Sequence, residues 1–387
     1  MKIVHLILSC FYKEGYGYQE NILPYKHKQL GHDTCIVTRF AHDNIIPFAE
    51  THDKVIHYVN ENQIDVYVLP TNNTFVCKIP FLSKILCHTK KLVEVLDNLS
   101  PDIVFCHGIY ISDYRDLIRY LEKRKSIKLF VDNHADYYNT PIKKGFFSSA
   151  YRRFFQIPVL KRMEKRSEMF WGVTPWRVDF MREVYGIEET KSKLLVMGGD
   201  ENKIDWVNRK TIRSKVREKY NILETDFVIV TGGKVDVSKN THLLIEAVKD
   251  IEGVKLLLFG SIKENMEHIV GQSKNVCYIG WINSDAVYDI FLAADLGVFP
   301  GTHSVLWEQA CSAGLPCVFK DWNGHMSHVD VGGNCVLLKD VSIDNLKRRI
   351  EEIIENKNIY NRMKTIAQTA GREKFSYISI AKESILI

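Results

Sequence analysis

The sequence has no C-x-x-C pair, no Asp-x-Asp pair, no low-complexity tract and no repeat at solenoid period, and its apolar runs are all short. Each absence excludes something. A bilayer-spanning helix needs about 20 consecutive apolar residues, so any membrane contact is expected to be peripheral. Nine cysteines, at 10, 35, 77, 87, 106, 277, 311, 317 and 335, are an odd number scattered mostly inside apolar runs. They fit neither a disulfide framework nor a zinc site, which points to reduced core thiols and a cytoplasmic location. Without Asp-x-Asp the sequence lacks a carboxylate pair to hold a nucleotide-bound divalent cation, so no metal is implied. Residues 1–8 are apolar but short and run on without a small-residue cleavage pattern, so they read as a buried strand and not as a leader. A net charge of +5 over 387 residues is too small to argue for nucleic acid.

What is present is ordinary globular composition, 45% hydrophobic and 26% charged, in a chain long enough for two cores of somewhat under 200 residues each. Short runs rich in Val and Ile alternate with longer amphipathic segments, the mark of βαβ units and parallel sheets. The alternation occurs twice. Strands are expected near 2–9, 33–38, 65–69, 102–106, 128–132 and 169–173, then near 193–197, 227–231, 255–259, 276–279, 296–299, 316–319 and 335–338. The polar stretch after Gly186 divides the series, giving an α/β fold of two Rossmann-like domains: 1–187 with a returning helix at 372–387, and 188–371.

Open α/β sheets bind ligands beyond the carboxyl ends of their strands, so the loops there carry the chemistry. After the first strand, Gly15-Tyr16-Gly17-Tyr18 opens a helix, and glycine lets the backbone approach an anion or a sugar; a plain tight turn would use the same residues. The run Val131-Asp132-Asn133-His134-Ala135-Asp136 delivers a histidine with a carboxylate two residues on, a pair able to orient a hydroxyl or act as a base. His107 ends the preceding strand in the same way. In the second half, Gly232-Gly233-Lys234 through Lys239-Asn240 sets two lysines around a free backbone, suited to a diphosphate. Gly301-Thr302-His303-Ser304-Val305 then leads into a helix whose first turn offers N–H donors. Glu308 lies one turn into that mostly apolar helix, where a carboxylate needs donor partners; ribose hydroxyls would serve.

At these residues the chain resembles the retaining glycosyltransferases of family 4, which have the GT-B fold, over essentially its whole length. The family's loop after strand one resembles Tyr16-Gly17-Tyr18, its cleft histidine resembles His134, and its phosphate loop resembles Gly233-Lys234 with Lys239. Gly198-Gly199-Asp200, Phe259-Gly260, Gly280-Trp281-Ile282 and Ala294-Asp295 also match in order, and Phe375-Ser376-Tyr377 resembles the start of the helix that crosses back to the first domain. The family normally has two glutamates eight positions apart; here Glu308 is the second, and Pro300 stands where the first would be. Lysine for arginine at 234 keeps the charge and loses the bidentate geometry.

The resemblance implies transfer of a sugar from a nucleotide diphosphate sugar, a UDP-sugar above all, to a saccharide or lipid-linked saccharide acceptor in cell-surface polysaccharide assembly, with retention and without a metal or other cofactor. Residues and resemblance together assign His134, Asp136, Lys234 and Lys239 to catalysis. Donor contacts fall to Gly17, Gly233, Gly260, Trp281, Ile282, His303, Ser304, Val305 and Glu308, and acceptor contacts to Tyr16, Tyr18 and His107. Residues 143–166 interleave eight basic residues with five aromatics, which suits the anionic inner face of a membrane; an amphipathic helix with buried aromatics is the plainer reading. A nucleotide-sugar epimerase and a non-catalytic sugar-nucleotide binding subunit stand as rivals on the same architecture.

Overall fold

A computed structural model describes residues 1–8, 12, 14–39, 54–71, 89–109, 111–138, 140, 150 and 152–386. The chain divides into two compact units, residues 1–196 with 381–387, and residues 197–380.

The first unit is built on eight strands: β1 (Lys2–Ile7), β2 (Asp33–Thr38), β3 (Ile56–Val59), β4 (Asp65–Val68), β5 (Ile103–His107), β6 (Lys128–Asn133), β7 (Met169–Gly172) and β8 (Ser192–Leu194). They lie in the order β3-β4-β2-β1-β5-β6-β7-β8. Every neighbouring pair is parallel except β3–β4. The central strands are buried almost end to end, as continuous apolar runs covered by helices on both faces must be. β3 is absent from the sequence reading because Ile-His-Tyr-Val is four residues long and alternates half-buried with exposed, which is an edge strand's pattern.

The second unit has β9 (Phe227–Gly232), β10 (Val254–Phe259), β11 (Val276–Tyr278), β12 (Leu296–Phe299), β13 (Cys317–Lys320) and β14 (Cys335–Leu338). The order β11-β10-β9-β12-β13-β14 is wholly parallel. It is the doubly wound 3-2-1-4-5-6 arrangement, which reverses between β9 and β12. In the first unit the reversal falls between β1 and β5.

The boundary differs from the sequence reading. Gly186 does cap the helix Pro175–Tyr185, at φ +69°. The next strand, β8, nonetheless pairs with β7, Phe170 opposite Ser192, because a crossover helix returns the chain to a parallel neighbour in the same sheet. The division therefore comes after Val196 and not after residue 187. At the other end, the helix Tyr377–Ser384 runs from the second unit into the first, where Trp171 Nε1 donates to the Ser384 carbonyl at 3.0 Å.

Candidate functional site

In the second unit, three loops leave the sheet at its reversal and pack backbone against backbone. Gly260 has φ +115°, and a Cβ there would stand 1.8 Å from the Gly233 carbonyl oxygen. Gly301 approaches as closely, since its Cβ would lie 2.2 Å from Lys239 Cα. No larger residue fits at either position. Asn240, itself at φ 53°, ties two of the loops by donating from Nδ2 to the Pro300 carbonyl at 2.9 Å. Lys239 Nζ donates to the Thr302 carbonyl at 2.6 Å and reaches that of His303 at 3.4 Å. Burial pushes the Lys239 ammonium down to about 8, against the opposing pull of Asp236. Lys234 is exposed on the same loop.

The helix Leu306–Ser312 starts just past Ser304 and Val305. Trp307 anchors it, fully buried and stacked on Phe319 at 4.6 Å. The next residue, Glu308, is also fully buried, and its Oε1 accepts from two imidazoles, His303 Nε2 and His328 Nε2, each at 2.8 Å. Burial alone would raise its carboxyl; His303 and His328 more than reverse this and hold it at about 2. Oε2 is buried with no hydrogen-bond partner. A buried carboxylate oxygen left without a donor costs free energy, and the donor it lacks is the position a ligand hydroxyl would fill.

His303, Glu308 and His328 are also the one group among the described residues whose ligand atoms, all within 4.8 Å of one another, could gather a metal ion. The set fits a metal poorly. Both imidazoles are already hydrogen-bonded to one oxygen, and His328 Nδ1 is buried with no partner, whereas a metal-bound imidazole has its outer nitrogen oriented by an acceptor.

Gly280 turns at φ +74°, its carbonyl accepts from Gly260 N–H at 2.8 Å, and Trp281 beyond it is 76% exposed, with Ile282 half-buried. The structure thus brings Gly233, Lys239, Gly260, His303 and Glu308 together at one end of one sheet, with Lys234 and Trp281 on the exposed faces of the same loops.

In the first unit, the loop after β1 carries its left-handed turn at Gly15, φ +74°, and not at Gly17. Tyr16 and Tyr18 are exposed and stacked on each other, centroids 5.4 Å apart, just before the helix Gln19–Gln29. His134 follows β6, with its side chain about a third exposed. Two assignments made from sequence change here. The carboxylate beside His134 is Asp132, Oδ1 to Nε2 3.4 Å, because residues two apart along an extended chain share a face. Asp136 instead accepts from Arg177 Nε at 3.1 Å and from the Tyr138 N–H at 2.9 Å. His107 is buried, 2% exposed, and is not placed to touch an acceptor: its Nε2 meets His5 Nδ1 at 3.0 Å and its Nδ1 meets Asp132 Oδ2 at 2.8 Å. Burial opposes the His134 cation, and Asp132, helped by Glu20, outweighs it, so its pKa lies above the ordinary value.

Asp132 and His328 were missed as site residues. Asp132 lay inside a motif already singled out, and its position two before His134 at the end of one strand was the available signal. For His328 the signal was weaker: a buried Glu308 requires donors, and the loop after the next strand holds His325 and His328.

The chain is similar to known glycosyltransferases in sequence and in fold. Residues 212–370 match the model of the family described as glycosyl transferases group 1. Bacillus subtilis EpsD, named as a glycosyltransferase, is 24% identical over 289 residues, 68% of this chain and 70% of EpsD. Among solved structures, a glycosyltransferase from Rickettsia africae superposes with a TM-score of 0.71 at 16% identity, over 99% of this chain and 96% of that one. Anabaena HepE in complex with UDP-glucose superposes with a TM-score of 0.65 at 16% identity, over 99% and 98%.

Proposed function

We propose that this chain, a glycosyltransferase of the GT-B fold and the group 1 family, takes a UDP-sugar on its second unit and transfers the sugar to a saccharide or lipid-linked saccharide acceptor received by its first. The setting we assign is bacterial cell-surface polysaccharide assembly, at the inner face of the membrane. The observation that carries the donor reading is Glu308: fully buried, ionised, with Oε1 satisfied by two histidines and Oε2 open. A ribose hydroxyl donating to Oε2 completes its hydrogen bonding. The choice of UDP is supported by HepE, which holds UDP-glucose on this fold.

The reaction forms a bond from the acceptor hydroxyl oxygen to the anomeric carbon and breaks the bond to the diphosphate, which leaves with the electron pair while the hydroxyl proton is released. Negative charge builds on the leaving diphosphate. Lys239 and Lys234 are the groups that meet it, an ammonium pair doing what a metal does elsewhere, so the reading needs no metal or other cofactor. Trp281 and Ile282 are assigned to the base, and His134, held by Asp132, to the acceptor hydroxyl. Retention of configuration belongs to the reading on the strength of the family resemblance.

A thermal-shift panel of UDP, GDP, ADP and CMP with their sugar conjugates tests it, because a ligand bound only by the folded state raises the melting point, by a few degrees at about 100 times Kd. The expected result is stabilisation by UDP and one UDP-sugar, abolished in Glu308→Ala. A panel in which no nucleotide stabilises the protein overturns the reading.

A further inference from the structure

The first unit contains a run of buried side chains that sugar transfer as described does not use. His27 Nδ1 lies 3.0 Å from His5 Nε2, His5 Nδ1 lies 3.0 Å from His107 Nε2, and His107 Nδ1 lies 2.8 Å from Asp132 Oδ2. His5, His27 and Asp132 are fully buried, and the rings stack at 5.1 and 5.3 Å with Phe105 alongside. At one end His27 Nε2 is 3.0 Å from both the Ala381 carbonyl oxygen and Ser384 Oγ, on the C-terminal helix. At the other, Asp132 Oδ1 accepts from the Gly108 N–H at 2.7 Å and faces His134.

The chemistry of the two ends restricts what lies between. A neutral imidazole has one N–H and one lone pair, and a carboxylate only accepts. Asp132 therefore requires hydrogen on His107 Nδ1, which makes His107 Nε2 an acceptor. That requires hydrogen on His5 Nδ1, and in turn on His27 Nδ1. His27 Nε2 is then left as a lone pair facing a carbonyl, which has nothing to donate, and a hydroxyl, which has.

We propose that Ser384 is a positioning residue: its hydroxyl donates to His27 Nε2 and so fixes His27, His5 and His107 as neutral rings with hydrogen on Nδ1, every bond directed to Asp132, which in turn holds a proton on His134 Nε2. The reverse direction, with Ser384 Oγ turned to the Ala381 carbonyl at 2.9 Å, needs one more proton on a ring. On His5 and His27 burial opposes that proton: desolvation holds His5 well below its ordinary value and pushes His27 down to about 3, against the Ala381 carbonyl, which pulls it up. The charged and titratable groups facing His134 are Asp132, Glu20 and Arg177, and those facing His27 are His5, His32 and His107.

Removing the hydroxyl breaks the pattern at its far end. In Ser384→Ala, His27 Nε2 takes a hydrogen to serve the Ala381 carbonyl, and the mismatch travels to Asp132. Either a ring becomes cationic beside it or the carboxyl itself is protonated. Both outcomes weaken the hold on the His134 proton. That His134 serves an acceptor rests on the function proposed above; the directed chain does not.

Long-range proton–nitrogen spectra of the full-length protein with 15N-labelled histidine read each tautomer, and the His134 carbon shifts read its titration. Neutral Nδ1–H rings are expected at His5, His27 and His107 at pH 7.5. The His134 pKa should fall in Ser384→Ala by about one unit, a tenfold loss of proton affinity, and return in Ser384→Thr. An Nε2–H tautomer at His27 in the native protein, or a His134 titration unmoved by Ser384→Ala, overturns the proposal. Failure to turn over any acceptor would count against the transferase reading alone, because the spectra need no turnover.

Discussion

Lys239 is useful to an anion only while it is charged, and burial has brought its pKa to about 8. Its ammonium is present below that value and is lost as pH rises through it; a bound diphosphate would raise the pKa again and take up a proton. The donor KM should therefore climb roughly tenfold for each pH unit above 8 in the native enzyme. In Lys239→Arg the guanidinium stays charged, so KM should be flat to pH 9.5, although higher below pH 8 because the fork does not match the point contact to the Thr302 carbonyl. Steady-state KM against pH for the two proteins checks this, and parallel profiles would remove Lys239 from the donor site. Glu308 and Lys239 were legible in the sequence because a lone carboxylate in an apolar helix and lysines beside glycines stand out locally. His328 was not, since nothing in Met326-Ser327-His328 points to a glutamate twenty positions earlier.

The segment of basic and aromatic residues is an element-scale question. Residues 143–149 and 151 lie outside the described residues, and the remainder is a turn, Arg152–Gln156, followed by the helix Ile157–Arg166. That helix buries Val159, Leu160 and Met163, and ties Arg162 to Glu122 at 2.8 Å, so its own length is core packing. The turn is different: Phe154 is 68% and Phe155 45% exposed, next to Arg152 and Arg153. The expectation of buried aromatics does not hold for these two. Flotation with anionic vesicles should recover the protein at low salt and lose it as screening shortens the reach of the charges, each basic residue contributing about 1 kcal/mol. Arg152→Glu with Arg153→Glu should abolish recovery; recovery that ignores both salt and these changes would assign the contact elsewhere. The strands were legible as elements because buried parallel strands are apolar runs, whereas β3, short and half-polar, had no such run.

For the molecule as a whole, mild acid should weaken the first unit more than the second. His5 and His27 have folded pKa values below the unfolded 6.5, so their contribution is intact above 6.5 and declines as pH falls towards about 3 for His27. Glu308, at about 2 in the folded state, keeps its contribution above an unfolded value of 4.5 and loses it as pH falls through 2. Between pH 6.5 and 4.5 the first unit weakens through both His5 and His27, the latter by on the order of 2 kcal/mol at pH 5, and the second through His328, whose pKa burial also lowers. Hydrogen exchange at pH 7.5 and pH 5, corrected for intrinsic rates, should show more protection lost in the β1, β5 and β6 strands than in β9 and β12; equal loss in both sets would contradict it.

Sequence alone determined the two parallel-sheet units, most of their strands, and the second unit's loops with Gly233, Lys239 and Glu308, because those signals are local: an apolar run, a glycine where the chain must turn, a charge where none should be buried. Tertiary structure decided which carboxylate holds His134, that β8 belongs to the first sheet, and that His27 meets Ser384 across 357 residues. Such contacts are set by crossover order and strand register, which bring together side chains that no periodicity in the sequence links.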